Sequence, residues 1–503
     1  MGADVRVAAP RRGDRLSPRP SSAGGREGGW SPGARWLVAG VAALALVRVA
    51  VAAHTPIIDD EGYYWLWSRH LGLSYLDHPP LVAWLDAVAT AGGRAEWLLR
   101  LPAMLATLCT TLALYLLGRD LFDRTSGLRA AALHLAVPVF AVQAIDAIPD
   151  PLLYAWWTLA MWAFWRALRG DRWGWWACGL ALGLGLLSKE SMVVLSAAFL
   201  VVLAWPSARR WWRTPGPYVA GALAGALAAP ILIWNAQHGW AALGFWLHVG
   251  GSGGPPAGNP PGWGVFANTA TQFAYGGPLL FPAMVWALWR AWRLGRGDER
   301  FAFLVLASVP TLLLVAAAAL LGVDRPNWPA PAYLAAVVAL GALWPGRVAA
   351  AALGSSLALS LAVLVLVSVI PWVPPSLRWD ELYGWREVTA EIMRRAGALH
   401  DPGHVLLVGQ RYNEASYFGY YAAGRMPVST GRTSEFAFWA PPNRYIGWQG
   451  IAAIDAREAV GQLRGDCARL LEQPPYRVAF PGGGARAFRI FRCVGFRGTP
   501  RAP

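Results

Sequence analysis

The sequence is poor in charged residues and contains a single lysine, Lys189. Of its 503 residues only 15% are Asp, Glu, Lys or Arg, whereas 56% are hydrophobic. Soluble domains carry about 25% charged residues, so this composition excludes an ordinary soluble domain as well as a disordered or collagen-like chain. Four cysteines in a chain of this length also exclude a disulfide-framework toxin.

The motifs of several common enzyme classes are missing too. There is no Gly-rich phosphate loop, no GxSxG nucleophile elbow and no GxGxxG fingerprint after a strand. The net charge of +15 raises the question of nucleic acid. However, the arginines stand singly between apolar runs, without a basic stripe interleaved with stacking aromatic residues. Nucleic-acid binding is therefore set aside, and a membrane protein with many spans is indicated.

Long apolar runs dominate the first three quarters of the chain. A bilayer-spanning helix needs about 20 mainly apolar residues, and we predict about eleven such helices in a transmembrane domain over residues 36–374. They begin near Trp36, Leu98, Leu128, Pro151, Trp173, Ser191, Tyr218, Phe266, Phe301, Trp328 and Arg347. Residues 1–35, rich in Arg, Pro, Gly and Ser, predict a disordered basic tail. This tail is too long to be the charged region of a cleavable signal peptide.

The distribution of charge between these runs predicts an orientation. If the tail is cytoplasmic, the even-numbered connections hold these arginines: Arg119, Arg124, Arg129, Arg166, Arg169, Arg172, Arg209, Arg210, Arg213, Arg290, Arg293, Arg296, Arg300 and Arg347. The odd-numbered connections hold these acidic residues: Asp59, Asp60, Glu61, Asp77, Asp146, Asp150, Glu190 and Asp324. This positive-inside pattern predicts a cytoplasmic N-terminus, and eleven spans then leave the acidic loops and the C-terminus outside.

The composition changes near residue 375. Residues 383–396 and 414–423 have the pattern of helices, 405–408 that of a short buried strand, and the residues after them alternate between apolar and polar. We therefore predict a small α/β domain over residues 375–503 on the outer face of the membrane.

The four cysteines fall into two groups by position. Cys467 and Cys493 both lie in the predicted outer domain and are able to pair in an oxidising compartment. Spacing alone does not establish that pairing. Cys109 and Cys178 fall in predicted spans, where we interpret them as small apolar side chains.

The first predicted outer loop concentrates potential chemistry. Asp59, Asp60 and Glu61 are consecutive carboxylates at a membrane boundary, where charge is costly unless it is solvated, paired or bound to a ligand. Packed like charges also raise one pKa, which suits a general base. The alternative is a hydrated loop with ordinary acids. The aromatic residues that follow are most simply an interfacial belt, which would lay the loop along the membrane surface: Tyr63, Tyr64, Trp65 and Trp67.

Later outer loops carry further candidates. Asp150 stands before the proline that opens a span, so a helix-start acid favoured by the dipole explains it as well as a function does. Lys189 and Glu190 form a potential ion pair that would stabilise a tight connection between two apolar runs. Lysine is also a compact charge suited to a lipid phosphate, and its retention among arginines favours that function. Arg325 either binds phosphate or anchors its span against the head groups.

These motifs resemble a known family. Asp60-Glu61 with Tyr64, followed by Asp77-His78-Pro79-Pro80, is similar to the first outer loop of the GT-C glycosyltransferases. The branch that the chain resembles is glycosyltransferase family 39, which contains protein O-mannosyltransferases and aminoarabinose lipid A transferases. Three further segments are similar to bacterial members: residues 233–238, 326–333 and 491–493.

The resemblance implies a GT-C fold of many membrane helices with a periplasmic C-terminal domain, in the bacterial inner membrane. It implies a polyprenyl-phosphate sugar as the donor and a lipid, glycan or protein as the acceptor, with inversion at the anomeric carbon. Asp60 is then the catalytic carboxylate and Glu61 its neighbour in the pair. Donor contacts are expected at Lys189, Arg325, Tyr64 and His78, and supporting roles at Asp59, Asp77, Asp150 and Asn327.

Two points qualify what the resemblance implies. Aminoarabinose transferases read Glu-Lys-Pro-Pro where this chain has Asp77-His78-Pro79-Pro80, so a candidate donor contact differs and the sugar stays open. No cofactor is required, although some GT-C relatives use a divalent metal. Four histidines share the predicted outer face with a spacing that matches no metal-ligand motif: His54, His78, His238 and His248.

Two other functions are consistent with many spans and intramembrane charge. A polyprenyl-lipid flippase or transporter should show internal repeats and broken helices in matching halves, and the sequence has no such duplication. A non-catalytic scaffold would not need Asp60, Asp150 and Lys189 together. The acceptor is not specified by the sequence. Residues 412–414 and 436–439 are candidate acceptor contacts, which core packing explains equally well.

Overall fold

The computed structural model describes residues 32–252, 262–323, 325–373, 382–399, 402–430, 435–461 and 463–498. Seventeen α-helices occupy the described residues before residue 374. The first ten are α1 (Pro32–His54), α2 (Asp59–Arg69), α3 (Leu81–Thr90), α4 (Glu96–Leu99), α5 (Leu101–Leu121), α6 (Arg124–Ala136), α7 (Pro138–Gln143), α8 (Pro149–Leu168), α9 (Arg172–Ser188) and α10 (Met192–Leu203). The next seven are α11 (Gly216–Gln237), α12 (Ala241–Ser252), α13 (Trp263–Tyr275), α14 (Leu280–Leu294), α15 (Glu299–Leu320), α16 (Ala330–Leu343) and α17 (Arg347–Val369). The predicted tail over residues 1–35 lies almost entirely outside the described residues.

Short polar side chains set the starts of the helices that follow the arginine-rich connections. The carboxylates of Asp123, Asp171 and Asp298 accept hydrogen bonds from backbone N–H groups in the first turns of α6, α9 and α15. These N-caps satisfy donors that have no partner inside the helix. In α8 a proline occupies the first turn, where its missing N–H costs nothing.

The helices match the predicted apolar runs in position more closely than in length. Each of the eleven predicted runs coincides with helical structure, but the run near Leu128 is divided into α6 and α7 and the run near Phe266 into α13 and α14. Within the described residues, four helices are long and apolar enough to cross a membrane alone: Glu96–Leu121, Gly216–Gln237, Glu299–Leu320 and Arg347–Trp372. A fifth is added if α1 and α2, which meet at a bend of 80°, count as one span. α10, with 12 residues, is only about 18 Å long. The count of about eleven spans remains a prediction.

A five-stranded mixed sheet forms the centre of the C-terminal unit. Its elements are α18 (Trp385–Gly397), β1 (Val405–Gly409), α19 (Tyr412–Ala422), β2 (Val428–Thr430), α20 (Phe436–Trp439), β3 (Gln449–Asp455), α21 (Leu463–Asp466), β4 (Cys467–Ala479) and β5 (Ala485–Phe496). The strand order is β2-β1-β3-β5-β4, with β1 parallel to both neighbours and the β3–β5–β4 part antiparallel. Cys467 and Cys493 are joined by a disulfide between β4 and β5, with their Cα atoms 5.4 Å apart.

The C-terminal unit shares one hydrophobic core with α2 and α3, which lie in the first loop that the sequence predicts to be outside. Residues of α2 and α3 belong to the same buried cluster as the sheet and helices α18 and α19. The two units approach so closely at Gly62 that a Cβ atom there would lie 3.0 Å from the carbonyl oxygen of Ser416. A small residue at position 62 therefore permits the contact between α2 and α19.

The interpretation of the α2 aromatic residues as an interfacial belt is wrong. Their side chains are at most 5% exposed. Tyr63 and Trp65 contact aromatic residues of the C-terminal unit directly, whereas Tyr64 and Trp67 pack against each other and against His78 and Tyr75. Trp65 packs edge-on against Tyr420, and Tyr63 stacks with Phe436. These rings lie in the core because the C-terminal unit covers α2, and that unit is more than 300 residues away in the chain.

Candidate active site

Glu61 is held by a buried arginine. Its side chain is fully buried, and both carboxylate oxygens accept hydrogen bonds of 2.7 Å from the guanidinium group of Arg100. Two backbone N–H groups, those of Ile58 and Ala147, donate to the same carboxylate at 3.0 Å. With its acceptor sites occupied in this way, Glu61 is suited to hold the start of α2 against α5 rather than to contact a substrate.

Asp59 and Asp60 lie at the contact between α2 and α19. The Tyr412 hydroxyl donates to Asp60 Oδ1 at 3.3 Å, and the Asn413 side-chain amide donates to Asp59. Burial and the neighbouring Asp59 carboxylate raise the pKa of Asp60 to about 7, while the Tyr412 hydroxyl acts in the opposite direction. A carboxylate with a pKa near 7 is matched to proton abstraction at neutral pH. Asp60 is also half-buried rather than enclosed.

Asp77 is connected to the C-terminal unit through Tyr63. The Tyr63 hydroxyl donates to Asp77 Oδ2 at 2.6 Å and accepts from the backbone N–H of Glu435 at 2.9 Å. Burial raises the pKa of Asp77, and it raises that of Glu435 to about 8. The indole N–H of Trp246 donates to the Asp77 carbonyl. Asp77 thus orders the first loop around Asp60.

His78 and Glu190 connect the first outer loop to the end of α9. His78 Nδ1 lies 3.2 Å from Glu190 Oε2. The ring centroids of Tyr64 and His78 lie 6.3 Å apart. The Tyr64 hydroxyl is within electrostatic range of both Asp60 and Asp150. Tyr64 and His78 are therefore brought to the same region as Asp60, as the motif predicts.

Lys189 pairs with Asp150 rather than with its sequence neighbour Glu190. Lys189 Nζ donates to Asp150 Oδ2 at 2.8 Å, and both side chains are less than a tenth exposed. The other oxygen of Asp150 accepts from Asn327 at 3.2 Å and from Tyr154 at 3.3 Å. The potential Lys189–Glu190 pair is thereby corrected: the two side chains point to different partners. An ammonium group has three donors, so the Asp150 contact does not exhaust Lys189.

An apolar cavity of about 290 Å³ ends at this ion pair. Its polar end contains Asp150, Lys189, Glu190 and Asn327. Its apolar walls come from α8, α10 and α15: Leu153, Val193, Val194, Leu314 and Val315. Val193 and Leu314 are more than half exposed on the surface of the helix bundle, so the cavity opens toward the space that lipid tails occupy. This geometry fits a lipid with an anionic head group.

Arg325, a predicted donor contact, is exposed and is not among the residues that line this cavity. His248 and Asp324 lie outside the part of the chain whose side chains are described. Among the described residues there is no group of three or more His, Cys, Asp or Glu side chains arranged to hold a metal ion.

Sequence reasoning did not identify several residues of the site. Arg100, Tyr63 and Glu435 carry no local motif, because their partners are distant in the chain. For Glu435 and Leu76 the separation is 359 residues. The sequence marks Tyr412 and Asn413 only as candidate acceptor contacts, because the aspartates that they contact are more than 350 residues earlier in the chain.

A family model described as dolichyl-phosphate-mannose-protein mannosyltransferase matches residues 77–234. The lipid A galacturonosyltransferase RgtD of Rhizobium johnstonii is 28% identical over 300 residues, which are 56% of this chain and 60% of RgtD. An undecaprenyl phosphate-alpha-4-amino-4-deoxy-L-arabinose arabinosyl transferase of Sodalis glossinidius is 31% identical over 30% of this chain and 28% of its own length. The chain thus spans less than two thirds of the curated relatives that it matches.

The similarity to solved structures covers nearly the whole molecule. The crystal structure of ArnT from Cupriavidus metallidurans superposes with a TM-score of 0.64 at 16% sequence identity, over 92% of this chain and 98% of ArnT. The chain has the GT-C fold. The resemblance of the chain to the GT-C glycosyltransferases is thereby confirmed at the level of the fold. Within this GT-C fold, the carboxylates of α2 and the lysine-ended cavity lie on the side of the helix bundle that carries the C-terminal unit.

Proposed function

We propose that this GT-C protein is an integral-membrane glycosyltransferase. It transfers a sugar from a polyprenyl-phosphate donor to a lipid acceptor on the periplasmic side of the bacterial inner membrane. The observation that carries the proposal is the cavity whose apolar walls end at Lys189 and Asp150. A polyprenyl phosphate has this division into a long apolar tail and an anionic head. One relative of the same fold, ArnT, was crystallised with undecaprenyl phosphate.

The donor phosphate is placed at the polar end of the cavity. Lys189 keeps donors beyond its bond to Asp150, and a lysine ammonium binds phosphate as a point charge. When the bond between the anomeric carbon and the phosphate oxygen breaks, the electron pair remains on the phosphate. A nearby cation stabilises that developing charge. Asp150 and Asn327 hold Lys189 in position, and Tyr64 and His78 border the sugar.

Asp60 is the proposed general base. It accepts the proton of the acceptor hydroxyl while the hydroxyl oxygen attacks the anomeric carbon from the side opposite the phosphate, which inverts that carbon. The raised pKa and the partial exposure of Asp60 support this role. Glu61, occupied by Arg100, is a positioning residue in this mechanism, and Asp59 and Asp77 hold the loop. The geometry of Arg325 provides no support for donor binding.

The identity of the sugar is open, and the relatives differ in it. Their names specify galacturonosyl and aminoarabinosyl transfer, and the first name also specifies lipid A. We propose a lipid A-type acceptor for this chain on that ground, with the sugar to be found among such donors. A flippase that shares the fold is the alternative, and no contact in the structure favours it.

The test is sugar transfer by the full chain in proteoliposomes, supplied with labelled undecaprenyl-phosphate sugars and lipid A. Asp60→Asn should reduce transfer about a hundredfold to ten-thousandfold and leave donor binding intact, because a base acts mainly in the transition state. Glu472→Gln, an exposed carboxylate on β4, is the matched control and should retain activity. Undiminished transfer by Asp60→Asn would refute the role of that carboxylate. Lipid translocation without transfer by the wild type would favour a flippase.

A further inference from the structure

An arginine-lined cavity lies at the seam between α4 and the C-terminal unit. Its volume is about 370 Å³, and it is lined by residues of the α3–α4 loop, α4, α18 and the end of α19: Arg94, Glu96, Arg386, Tyr420, Tyr421 and Arg425. It shares no lining residue with the cavity that ends at Lys189. None of these residues has a part in the mechanism proposed above.

The charges around this cavity do not balance. Arg386 pairs with Glu96 at 2.6 Å, and Glu96 is the only carboxylate among the described lining residues. Arg94 and Arg425 instead donate to backbone carbonyls at the end of α19, at 3.0–3.3 Å. A guanidinium group has five N–H donors, so these contacts leave donors on both arginines. The cavity therefore has an excess of two positive charges.

A buried hydroxyl adds a second indication of a ligand. The Tyr421 side chain is 7% exposed, and its hydroxyl lies beside the Arg386 guanidinium. An arginine is only a donor, so the hydroxyl proton of Tyr421 has no acceptor among the described residues. The Arg386 guanidinium lies 5.5 Å from the centre of the Tyr421 ring. A ligand oxygen in the cavity would satisfy the hydroxyl and the guanidinium groups together.

The position of the cavity relative to the membrane restricts the ligand. It lies at the start of Glu96–Leu121, which is long and apolar enough to cross a bilayer. Along the same helix Leu105 and Leu112 are more than half exposed, which marks its lipid-facing side. Trp97, next to the cavity, is 48% exposed, as is typical of an aromatic residue at the membrane interface. The arginines are thus at the depth of lipid head groups.

We propose that this cavity binds the phosphate group of an anionic lipid from the leaflet on the side of the C-terminal unit. Arginine forks match phosphate oxygens in a bidentate geometry, and a tyrosine hydroxyl supplies a further donor. The phosphate belongs either to the acceptor lipid or to a bulk phospholipid. The first source rests on the proposed function, whereas the binding itself does not.

The binding test uses the purified full chain in a neutral detergent. Dioctanoyl phosphatidic acid is titrated by microscale thermophoresis, and dioctanoylglycerol, which lacks the phosphate, serves as the reference lipid. We expect saturable binding of the phosphatidic acid and at least about tenfold weaker binding of the diglyceride, because the diglyceride cannot form the charge-assisted hydrogen bonds to phosphate. Equal affinity for the two lipids would overturn the proposal.

Matched variants locate the site. Arg94→Gln/Arg425→Gln keeps side-chain donors for the α19 carbonyls but removes both charges, and should weaken binding about tenfold or more. Tyr421→Phe should weaken it about threefold to tenfold. Arg394→Gln, on the exposed face of α18 and paired with Glu391, should bind like the wild type. Unchanged thermal unfolding of each variant confirms its fold. Wild-type affinity in the double variant and in Tyr421→Phe would refute the site.

Transfer kinetics then distinguish the two sources of phosphate. If the acceptor supplies it, Arg94→Gln/Arg425→Gln raises the KM for phosphorylated lipid A and leaves the KM for dephosphorylated lipid A and for the donor unchanged. If a bulk phospholipid supplies it, the acceptor KM does not move although phosphatidic acid binding is lost. If the wild-type protein transfers no sugar, the proposed function is refuted. The lipid-binding measurements would still test the phosphate site.

Discussion

The environment of Asp60 determines the pH range in which it is able to act as a base. Its pKa is raised to about 7 by burial and by Asp59, and the Tyr412 hydroxyl limits the rise by donating to the charged form. Since the base must be deprotonated, we expect transfer to increase as the pH rises through about 7 and to reach a plateau above it.

Replacing Tyr412 by Phe tests this relation. The variant loses a hydrogen bond to the carboxylate, so the pKa of Asp60 rises and the ascending limb of the pH–rate profile moves to higher pH, by up to about one unit. The plateau rate at high pH should change much less. A merely structural role for Tyr412 predicts a lower plateau with an unmoved limb. Tyr445→Phe, elsewhere in the C-terminal unit, is the control and should leave both features in place.

Lys189 illustrates what could be inferred from single residues and what could not. Its retention among arginines identified it as a candidate, and the first-loop motif identified Asp60 and Asp77. The partner of Lys189 could not be inferred, because Asp150 is 39 residues away and Glu190 is adjacent. Side-chain direction depends on how α8 and α9 pack, and no local pattern records that.

We expect Lys189→Ala to weaken donor binding at least about tenfold, since one charge-assisted contact to phosphate is removed. Lys189→Arg should restore it only in part, because a planar guanidinium does not replace a compact ammonium beside Asp150. Equilibrium binding of undecaprenyl phosphate measures both effects. Arg325→Ala, at an exposed position, is the comparison. A loss of affinity in that variant but not in Lys189→Ala would show that Arg325, and not Lys189, contacts the phosphate.

At the level of helices and strands, one tight turn places the C-terminal contacts of the site. β1 ends at Gly409 and α19 begins at Tyr412, so the side chains that reach Asp59 and Asp60 follow the strand at once. A Cβ atom on Gly409 would lie 2.5 Å from the backbone nitrogen of Ala415 and 2.7 Å from the carbonyl oxygen of Arg411. The absence of a side chain there permits α19 to start so close to β1.

Gly409→Ala should therefore displace the start of α19. Overpacking of this kind costs about 1–3 kcal/mol, and the shift withdraws Tyr412 and Asn413 from the α2 carboxylates. We predict a lower unfolding temperature together with a loss of transfer that is larger than the loss of folded protein. Gly397→Ala, where a Cβ meets nothing within 4 Å, should be neutral in both measurements. A fully active Gly409→Ala would show that the turn is not required.

Local pattern predicted these elements well and their surroundings poorly. The helix and strand pattern after residue 383 anticipated α18, β1 and α19 to within about two residues, which is the usual uncertainty of helix ends. Aromatic residues are common both at a membrane interface and in a hydrophobic core, so the composition of α2 does not distinguish the two locations. The rings of α2 lie in a core because α19 and α20 cover them.

The described part of the molecule has two large hydrophobic cores and one small cluster, rather than a membrane part with an appendage. One large core lies inside the helix bundle, and the other joins α2 and α3 to the sheet of the C-terminal unit. The boundary predicted at residue 375 follows the change in composition, but the packing crosses it. Stability of the first outer loop should therefore depend on the C-terminal unit.

Removal of the disulfide tests this dependence in the full chain. Cys467→Ala/Cys493→Ala frees a segment of 26 residues, and a cross-link of that span contributes about 2–4 kcal/mol. Hydrogen exchange should quicken in β1 and in α2 together, and transfer should be lost at the temperature at which the sheet unfolds. Cys109→Ala, at a free cysteine, should change neither. Transfer that persists after the sheet has unfolded would contradict the shared core.

The distance in the chain between Asp60 and Tyr412 has a consequence for the order of synthesis. The carboxylate is made early, and the hydroxyl that contacts it is made 352 residues later. At about 5–20 residues per second, the nascent chain spends many seconds before the C-terminal contacts of α2 exist. Until the C-terminal unit has been made and has folded onto α2, Asp59 and Asp60 lack their partners on α19. If Asp60 is the base that we propose, the newly made protein is inactive until the chain is complete.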